Sequence, residues 1–272
     1  MTEEVRPSSR DGLFSGLDLP RMITISGANK DIGKSSLVTY LVRHCRDCSA
    51  MKVTLHAESP PGEAVVEESE PAANGTDTAR MLEAGASPVF WIRTTAHELA
   101  ADLREALSRS QAPVVIVEGN SVLEHLEPDF AVFIMGSGFD DFKPSAFNAI
   151  KKAHAIVVNG NKRLCGGEIL ALEREIKAMS PRAKMVVVSE LGREKAWEIV
   201  LSRVVGRMGG EFMSDEIDEK VMEAVKAKAE EGRIACAVAL KLAEELKVPT
   251  AEVGKAANVL NVKIAKCSLG CF

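Results

Sequence analysis

Aromatic residues are scarce in this chain, because Trp, Tyr and Phe together make up 4% of its 272 residues. A core of ordinary size must therefore be built from Val, Ile, Leu, Ala and Met. No stretch approaches the roughly 18 consecutive apolar residues of a membrane-spanning helix. The first twenty residues contain no apolar segment typical of a secretory signal. These absences predict a cytoplasmic protein that has no membrane partner.

Cysteine is also sparse, with six residues in the whole chain. That number is too small for a disulfide scaffold in a chain of this length, so we expect a reducing compartment. The net charge is −5 at pH 7. An acidic chain binds nucleic acid poorly unless its basic residues cluster on one face, and this argues against a nucleic-acid partner.

Short runs rich in Val and Ile alternate with helical patterns through most of the chain. Such runs are typical of strands covered on both faces, and the alternation predicts βαβ crossovers. The expected fold class is therefore α/β, with a mostly parallel sheet flanked by helices. Strands are expected at 22–26, 51–56, 88–93, 114–118, 130–135, 155–159 and 184–189, and helices near 34–46, 77–84, 95–110, 144–152, 166–179 and 193–204.

The first predicted strand runs into a glycine-containing loop that opens a helix. Counted from its first glycine, the loop is one residue longer than the common GxxxxGK[ST] pattern. A polyphosphate favours several inward-pointing backbone N–H groups and the N-terminus of a helix. Lys34 would reach the β- and γ-phosphates, and the Ser35 hydroxyl would ligate Mg²⁺. We therefore predict that ATP or GTP binds at Gly27, Ala28, Asn29, Lys30, Asp31, Ile32, Gly33, Lys34, Ser35 and Ser36.

A second metal-binding group is predicted at the end of the strand 114–118. In an open α/β sheet the carboxyl end of a buried strand lies near the phosphate loop. Mg²⁺ takes few protein ligands and prefers carboxylates, waters and phosphates. Glu118 is therefore predicted to bind Mg²⁺ directly or through water, and the alternative is a simple charge at the sheet end. Asp140 and Asp141 are weaker candidates for the same neighbourhood.

Three regions are expected along the chain. Residues 1–20 form a flexible tail, 21–208 a P-loop NTPase domain, and 209–272 a small all-helical domain. The helical domain contains a helix-turn-helix-like pair at about 235–247 and 250–261. Within the first domain, the segment 58–76 carries five glutamates and no basic residue. It is expected to be a mobile loop that could close over the site.

The phosphate loop resembles, position for position, the GT(D/N)TxVGKT loop of dethiobiotin synthetase, a SIMIBI-type P-loop protein. That family keeps a substrate lysine after its second strand, and no lysine follows the corresponding strand here. The resemblance therefore does not imply the synthetase activity. Related dimeric ATPases carry an additional signature lysine at the position of Asn29. Lys30 is consequently expected to be a solvated loop charge, with a role in a partner's site as the alternative.

The stretch 75–86 resembles the D[ST]xRxxxAGA segment of the molybdopterin-guanine dinucleotide biosynthesis adaptor (MobB-like) family, through Asp77, Arg80 and Gly85. A Val-Glu-Gly of that family matches 117–119. The resemblance covers roughly 22–125. It implies an accessory role in molybdenum-cofactor biosynthesis, a molybdopterin-type ligand, and a protein partner or homodimer. Asp77 and Arg80 could instead simply pair with each other on one helix face.

Beyond residue 125 the chain resembles longer P-loop accessory proteins, including the urease and hydrogenase maturation GTPases. In those families an Asn at this strand end, or an Asn-Lys pair, touches the purine, which implies such a contact for Asn159. No complete NKxD motif is present, so ATP and GTP both stay open. Hydrolysis is expected to be slow, because neither an arginine finger nor a residue that positions the attacking water can be named.

Two alternative functions use other parts of the sequence. A metal-insertion GTPase, or metallochaperone, would bind metal through Cys267 and Cys271 near the C-terminal end, together with Cys236. A nucleotide-gated regulator would use the helix-turn-helix-like pair on DNA. Basic residues exceed acidic ones only slightly across 235–266, so protein docking or dimerisation is the expected use of the helical domain.

Overall fold

The computed structural model describes most of the chain, in two compact units whose boundary lies between residues 213 and 214. The described residues are 14, 17–68, 75–139, 142–160, 164–181, 183–187, 191–208, 211–212, 219–229, 232–246, 248, 250–260 and 262–265. Within these ranges, no helix combines the length and the apolar character needed to cross a membrane.

The first unit is built on an eight-stranded sheet with the order β3-β4-β2-β5-β1-β6-β7-β8. All neighbouring strands are parallel except β3, which runs antiparallel to β4 at one edge. The strands are β1 Arg21–Gly27, β2 Cys48–Leu55, β3 Val65–Glu68, β4 Val89–Thr94, β5 Val114–Glu118, β6 Phe130–Met135, β7 Ala155–Val158 and β8 Lys184–Val187. The expected α/β class with a mostly parallel sheet is confirmed.

Helices cover both faces of this sheet. The described helices are α1 Lys34–His44, α2 Asp77–Glu83, α3 Leu99–Arg109, α4 Val122–His125, α5 Pro144–Lys152, α6 Gly166–Met179 and α7 Arg193–Met208. Leu41 of α1 and Trp197 of α7 share one buried cluster with Ile25. Ile150 of α5 packs against Phe133 in a second cluster. Leu103 of α3 belongs to a third cluster. Because side chains alternate along a strand, the sheet separates the first cluster from the other two, which lie on its opposite face.

The strand order places β1 in the interior of the sheet, between β5 and β6. The chain leaves β1 through α1 towards β2 on one side, and β6, β7 and β8 lie on the other side. The two directions therefore diverge at the carboxyl end of β1, which is a topological switch point. In open α/β sheets ligands bind in the crevice outside such a point. The loop after β1 lies there.

The segment 58–76 contains a strand that the sequence analysis did not predict. Val65–Glu68 pairs with β4 along four residues, with Val65 opposite Ile92. Val65 is 2% exposed, and the Arg109 guanidinium donates to Glu67 at 3.0 Å. The expectation of a loop through this whole segment is therefore wrong, because two valines and one ion pair are enough to add an edge strand. Residues 69–74 lie outside the described ranges.

The second unit combines three helices with a pair of short parallel strands. These elements are α8 Glu219–Lys228, β9 Arg233–Ala235, α9 Cys236–Leu246, α10 Thr250–Val259 and β10 Lys263–Ala265. Ile234 is 1% exposed and packs in one core with Val225 and Leu242. The expectation of an all-helical domain is therefore wrong. Strands of three residues are too short to show an alternating pattern in the sequence.

Replacement of Phe133 by Ala should destabilise the first unit by about 3–5 kcal/mol, because the ring is fully buried in the centre of β6 and its loss leaves a cavity. The matched control is Phe147→Ala. Phe147 is 42% exposed and its ring contacts Phe142 in a tilted arrangement, and Phe142 itself contacts Phe133. The control should cost about 1 kcal/mol.

Urea unfolding followed by tryptophan fluorescence measures these two costs. Both tryptophans, Trp91 and Trp197, lie in the first unit, so the signal reports that unit alone. Equal costs for the two Phe→Ala variants would contradict the packing described for the sheet face that carries α5.

Candidate functional site

The loop between β1 and α1 is a tight turn in which two glycines are required. Gly33 has φ of +107°, in the left-handed region, and a Cβ there would lie 3.0 Å from Asn159 Nδ2. A Cβ on Gly27 would lie 2.9 Å from Ile32 Cγ2 and 3.1 Å from the Ile134 carbonyl oxygen. The loop is therefore packed against its neighbours at both ends. It has the strand–loop–helix arrangement of a P-loop.

Two asparagine side chains hold the loop in this shape. The Asn120 side chain accepts from the Gly27 N–H at 2.9 Å and donates to the Gly27 carbonyl at 3.0 Å, as a neighbouring strand would. Asn159 Nδ2 donates to the Ile32 carbonyl at 2.7 Å. The sequence analysis missed Asn120, although its place two residues after the end of β5 was available as a signal. Asn159 lies beside the loop, and its contact with a purine stays a prediction.

Lys34 begins α1 and folds back over the loop, where its ammonium donates to the Asn29 carbonyl at 2.6 Å. Burial lowers the pKa of Lys34, and the nearby positive charges of Lys52 and Lys143 lower it further. The Glu118 carboxylate acts in the opposite direction and favours the charged form. A half-buried ammonium among other cations is therefore placed where an anion would stabilise it.

Ser35, the second residue of α1, is tied directly to the sheet. Its hydroxyl donates to Glu118 Oε2 at 2.9 Å. Glu118 is the last residue of β5 and is 5% exposed. The two residues predicted to share a metal ion are thus in contact, 83 positions apart in the chain. Glu118 is therefore hydrogen-bonded to the P-loop serine, and its binding of Mg²⁺ stays a prediction.

Lys52 and Asp77 complete this cluster, and the sequence analysis gave Lys52 no role. Lys52 stands opposite Glu118 in the parallel register of β2 and β5. Its ammonium is hydrogen-bonded to Asp77 Oδ2 and lies 3.5 Å from Glu118 Oε1. Dethiobiotin synthetase keeps its substrate lysine after the second strand, whereas Lys52 reaches the site from within β2. A charged residue inside an apolar strand was the available signal.

Asp77 is brought to the cluster by the start of α2. The Thr76 side chain caps this helix by accepting from the Ala79 N–H at 3.1 Å. Burial would raise the pKa of Asp77, but the hydrogen bond from Lys52, the nearby Ser35 hydroxyl, and the charges of Lys52 and Arg80 lower it. Asp77 therefore faces both the P-loop serine and β2. Its expected pairing with Arg80 is present at 3.9 Å, longer than its bond to Lys52.

One hydroxyl and two carboxylates therefore converge where α1, α2 and β5 meet: Ser35, Asp77 and Glu118. Hard oxygen donors of this kind match the preference of Mg²⁺, so the residues fit the metal ion that the loop motif implies. No group of three or more His, Cys, Asp or Glu side chains suited to a metal was found among the described residues.

A cavity of about 470 Å³ opens beside the loop. This volume is within the range of small-molecule sites. The loop lines it through Asn29 and Ile32, and Phe142, Asn159 and Arg193 contribute to the rest of the lining. Arg193 stands at the start of α7 and was not identified from the sequence, which carries no motif around it. The cavity therefore joins the loop to the carboxyl ends of β6 and β7.

The structure also places three other residues that were predicted to bind nucleotide: Lys30, Ser36 and Ala28. Lys30 is exposed on the loop. Ser36 accepts a hydrogen bond from Trp197 Nε1 at 3.4 Å. Ala28 is buried, and its N–H donates to the Ile134 carbonyl at 2.9 Å. The other candidates lie outside the described ranges: Asp140, Asp141, Cys267 and Cys271.

No protein-family model and no curated protein matches this chain. Among solved structures it is similar to HypB from Helicobacter pylori in complex with nickel, with 13% identity, a TM-score of 0.42, and coverage of 71% of this chain and 90% of that one. It is also similar to LpxK from Aquifex aeolicus in complex with ATP, with 18% identity, a TM-score of 0.37, and coverage of 55% of this chain and 52% of that one. A third similar structure is the signal recognition particle 54 kDa protein from Aeropyrum pernix K1 in complex with GDP. Its identity is 12%, its TM-score is 0.35, and the match covers 93% of this chain and 79% of that one.

Replacement of Gly33 by Ala should destabilise the first unit by about 1–3 kcal/mol, because an L-residue is strained at this φ and its Cβ would meet Asn159. The matched control is Gly206→Ala. Gly206 lies inside α7 and no atom is within 4 Å of its added Cβ, so this change should stabilise the unit by about 0.5–1 kcal/mol. Tryptophan-detected urea unfolding measures both, and a stabilised Gly33→Ala variant would refute the loop geometry.

Proposed function

We propose that this chain binds ATP or GTP with Mg²⁺ at residues 27–36 and hydrolyses the bound nucleotide slowly. The observation that carries the proposal is the hydrogen bond between Ser35 and Glu118. It joins the first turn of the helix after the glycine loop to a buried carboxylate on the neighbouring strand. This is the arrangement in which a P-loop serine and an acidic strand end share Mg²⁺.

The loop would bind the phosphates through backbone N–H groups at the N-terminus of α1, where the helix dipole favours negative charge. Lys34 would leave the Asn29 carbonyl and donate to a phosphate oxygen, which compensates its burial better than a neutral carbonyl does. Ser35, Asp77 and Glu118 would hold Mg²⁺. When bound, the ion neutralises charge that develops on the phosphates.

The cavity beside the loop would take the nucleoside part of the ligand. Its walls carry hydrogen-bonding and stacking groups in Asn159, Arg193 and Phe142. An asparagine amide offers both a donor and an acceptor to a base edge. Because one Asn159 hydrogen atom already binds the Ile32 carbonyl, base contact and loop shape would be coupled through this residue.

The proposed physiological role is accessory, in molybdenum-cofactor biosynthesis in the cytoplasm. Its support is the 75–86 segment, which carries the resemblance to the molybdopterin-guanine dinucleotide adaptor family. Asp77 of that segment contacts Lys52 in the candidate site, and Gly85, which follows the C-cap residue of α2, has φ of +109°. A molybdopterin-type ligand and a protein partner or second copy would complete the assembly. We also propose that this chain is a member of the SIMIBI class of P-loop proteins.

The rival functions gain no support from the described part of the chain. The metal-insertion alternative depends on Cys267 and Cys271 together with Cys236, and of these only Cys236 lies within the described ranges. The DNA-binding alternative depends on a basic face of the helix-turn-helix-like pair. On α9 the single lysine, Lys241, is paired with Glu245 at 3.8 Å, which lowers its value as a phosphate contact.

Calorimetry with ATP and GTP, in the presence and absence of Mg²⁺, tests the nucleotide site. We expect at least one nucleotide to bind, more tightly with Mg²⁺. Lys34→Ala should weaken binding by at least about tenfold, since a charge-assisted hydrogen bond contributes about 1.5–3 kcal/mol. The matched control is Lys177→Ala on α6. Lys177 is exposed and paired with Glu173 within its own helix, so its loss should leave affinity unchanged.

Two results would count against the proposal. One is a folded wild-type protein that binds neither nucleotide. The other is an equal loss of affinity in the Lys34 and Lys177 variants. Titration of molybdopterin-type nucleotides in the same instrument tests the accessory role separately, because that role can fail while the nucleotide site stands.

Replacement of Lys52 by Met should raise the affinity of the chain for Mg²⁺ by about tenfold when no nucleotide is added. The ammonium of Lys52 is bonded to Asp77 and lies near Glu118, so it competes with a cation for both carboxylates. Titration with Mn²⁺ as a paramagnetic substitute for Mg²⁺ measures the change, with Lys177→Met as control. An unchanged or lower affinity in Lys52→Met would show that these carboxylates do not form the ion site.

A further inference from the structure

Cys45 and Cys48 stand on either side of the turn between α1 and β2. Cys45 caps the C-terminus of α1 in an extended conformation, and Cys48 is the first residue of β2. Cys48 is 3% exposed, whereas Cys45 is half-buried. The two residues between them, Arg46 and Asp47, are exposed. One thiol can therefore be reached from solvent and the other is protected behind it.

The two thiols are in contact. They are hydrogen-bonded to each other, and the Cys45 thiol also donates to the Asp47 carbonyl at 3.6 Å. A Cys-x-x-Cys spacing can bring two sulfur atoms together on one side of a turn. Two such sulfur atoms already in contact need only a small movement to bond covalently.

The backbone around the pair is held at both ends. Cys45 forms a β-bridge with Phe212, and the Arg46 N–H donates to the Glu211 carbonyl at 3.0 Å. On the other side, the Ser87 N–H donates to the Cys48 carbonyl at 2.9 Å. These contacts come from distant parts of the first unit, so the turn cannot open without breaking them. The thiols are therefore kept close by tertiary structure as well as by their spacing.

We propose that Cys45 and Cys48 form a reversible intrachain disulfide by exchange with a low-molecular-weight disulfide such as oxidised glutathione. In the first step the Cys45 thiolate attacks one sulfur of the small disulfide, forms a mixed disulfide and releases one thiolate. In the second step the deprotonated Cys48 sulfur attacks Cys45, which forms the Cys45–Cys48 bond and releases the second thiolate. The two cysteines lose two electrons, and the small disulfide is reduced to two thiols.

Exposure and pKa agree on which of the two sulfurs attacks first. The hydrogen bond from Cys48 lowers the pKa of Cys45, against the effect of its burial. The hydrogen bond to Cys45 and burial both raise the pKa of Cys48. Cys45 is therefore the attacking thiol and Cys48 the resolving one, since the thiolate is the nucleophile. The bond would lie at the opposite end of α1 from Lys34 and Ser35, so it is independent of the proposed nucleotide site.

The pair can be tested by peptide mapping of the full chain after equilibration with reduced and oxidised glutathione. Remaining thiols are alkylated under acid quench, and the protein is digested with trypsin. Cleavage after Arg46 separates the peptides 44–46 and 47–52, which stay joined only if the disulfide has formed. We expect the joined peptide in most chains under oxidising conditions and its loss on reduction. Tryptophan fluorescence confirms that the protein was folded during exchange.

Single serine variants identify the order of attack. In Cys48→Ser, Cys45 should keep glutathione as a stable mixed disulfide, because no second thiol displaces it. In Cys45→Ser, the buried Cys48 should stay unmodified. Cys165, which is exposed, shows in the same digest that the glutathione is reactive. The proposal is wrong if both peptides are alkylated while Cys165 is oxidised, or if wild-type Cys45 carries glutathione without forming the joined peptide.

Discussion

The candidate site depends on the hydrogen bond from Ser35 to Glu118, which joins α1 to β5 beside the loop that follows β1. Ser35 belongs to the first turn of α1, Glu118 ends β5, and β1 lies between its two parallel neighbours β5 and β6. If β5 were shifted by one residue relative to β1, its Glu118 side chain would point to the other face of the sheet. The strand register therefore decides whether a hydroxyl and a carboxylate meet at the switch point.

Charge balance at this edge depends on the same register. Lys52 and Glu118 are opposite each other in β2 and β5, and Asp77 reaches them from α2. Unpaired charges would be costly in such a half-buried position, so each carboxylate is matched by an ammonium or a hydroxyl. Under the proposed function, Mg²⁺ and phosphates replace these internal partners. Lys34 and Lys52 then become available to the ligand, and the site exchanges one set of ion pairs for another.

The rigid part of the site is the loop, and the asparagines explain why. Asn120 makes two hydrogen bonds to Gly27, and Asn159 holds the Ile32 carbonyl. These bonds come from the ends of β5 and β7, so the loop shape is set by the sheet on both sides. A loop held in this way presents its N–H groups without further ordering, which reduces the entropy lost on binding.

The α/β class, the P-loop and the Ser35–Glu118 pair could be predicted from the sequence alone, because alternating apolar runs and a strand–loop–helix motif are local patterns. Local patterns could not reveal β3, β9 and β10, which are short and depend on partners far along the chain. Nor could they reveal that Lys52 pairs with Asp77 and Glu118 or that Asn120 binds Gly27. Those contacts join residues from 25 to 93 positions apart, and only the order and register of the strands bring them together.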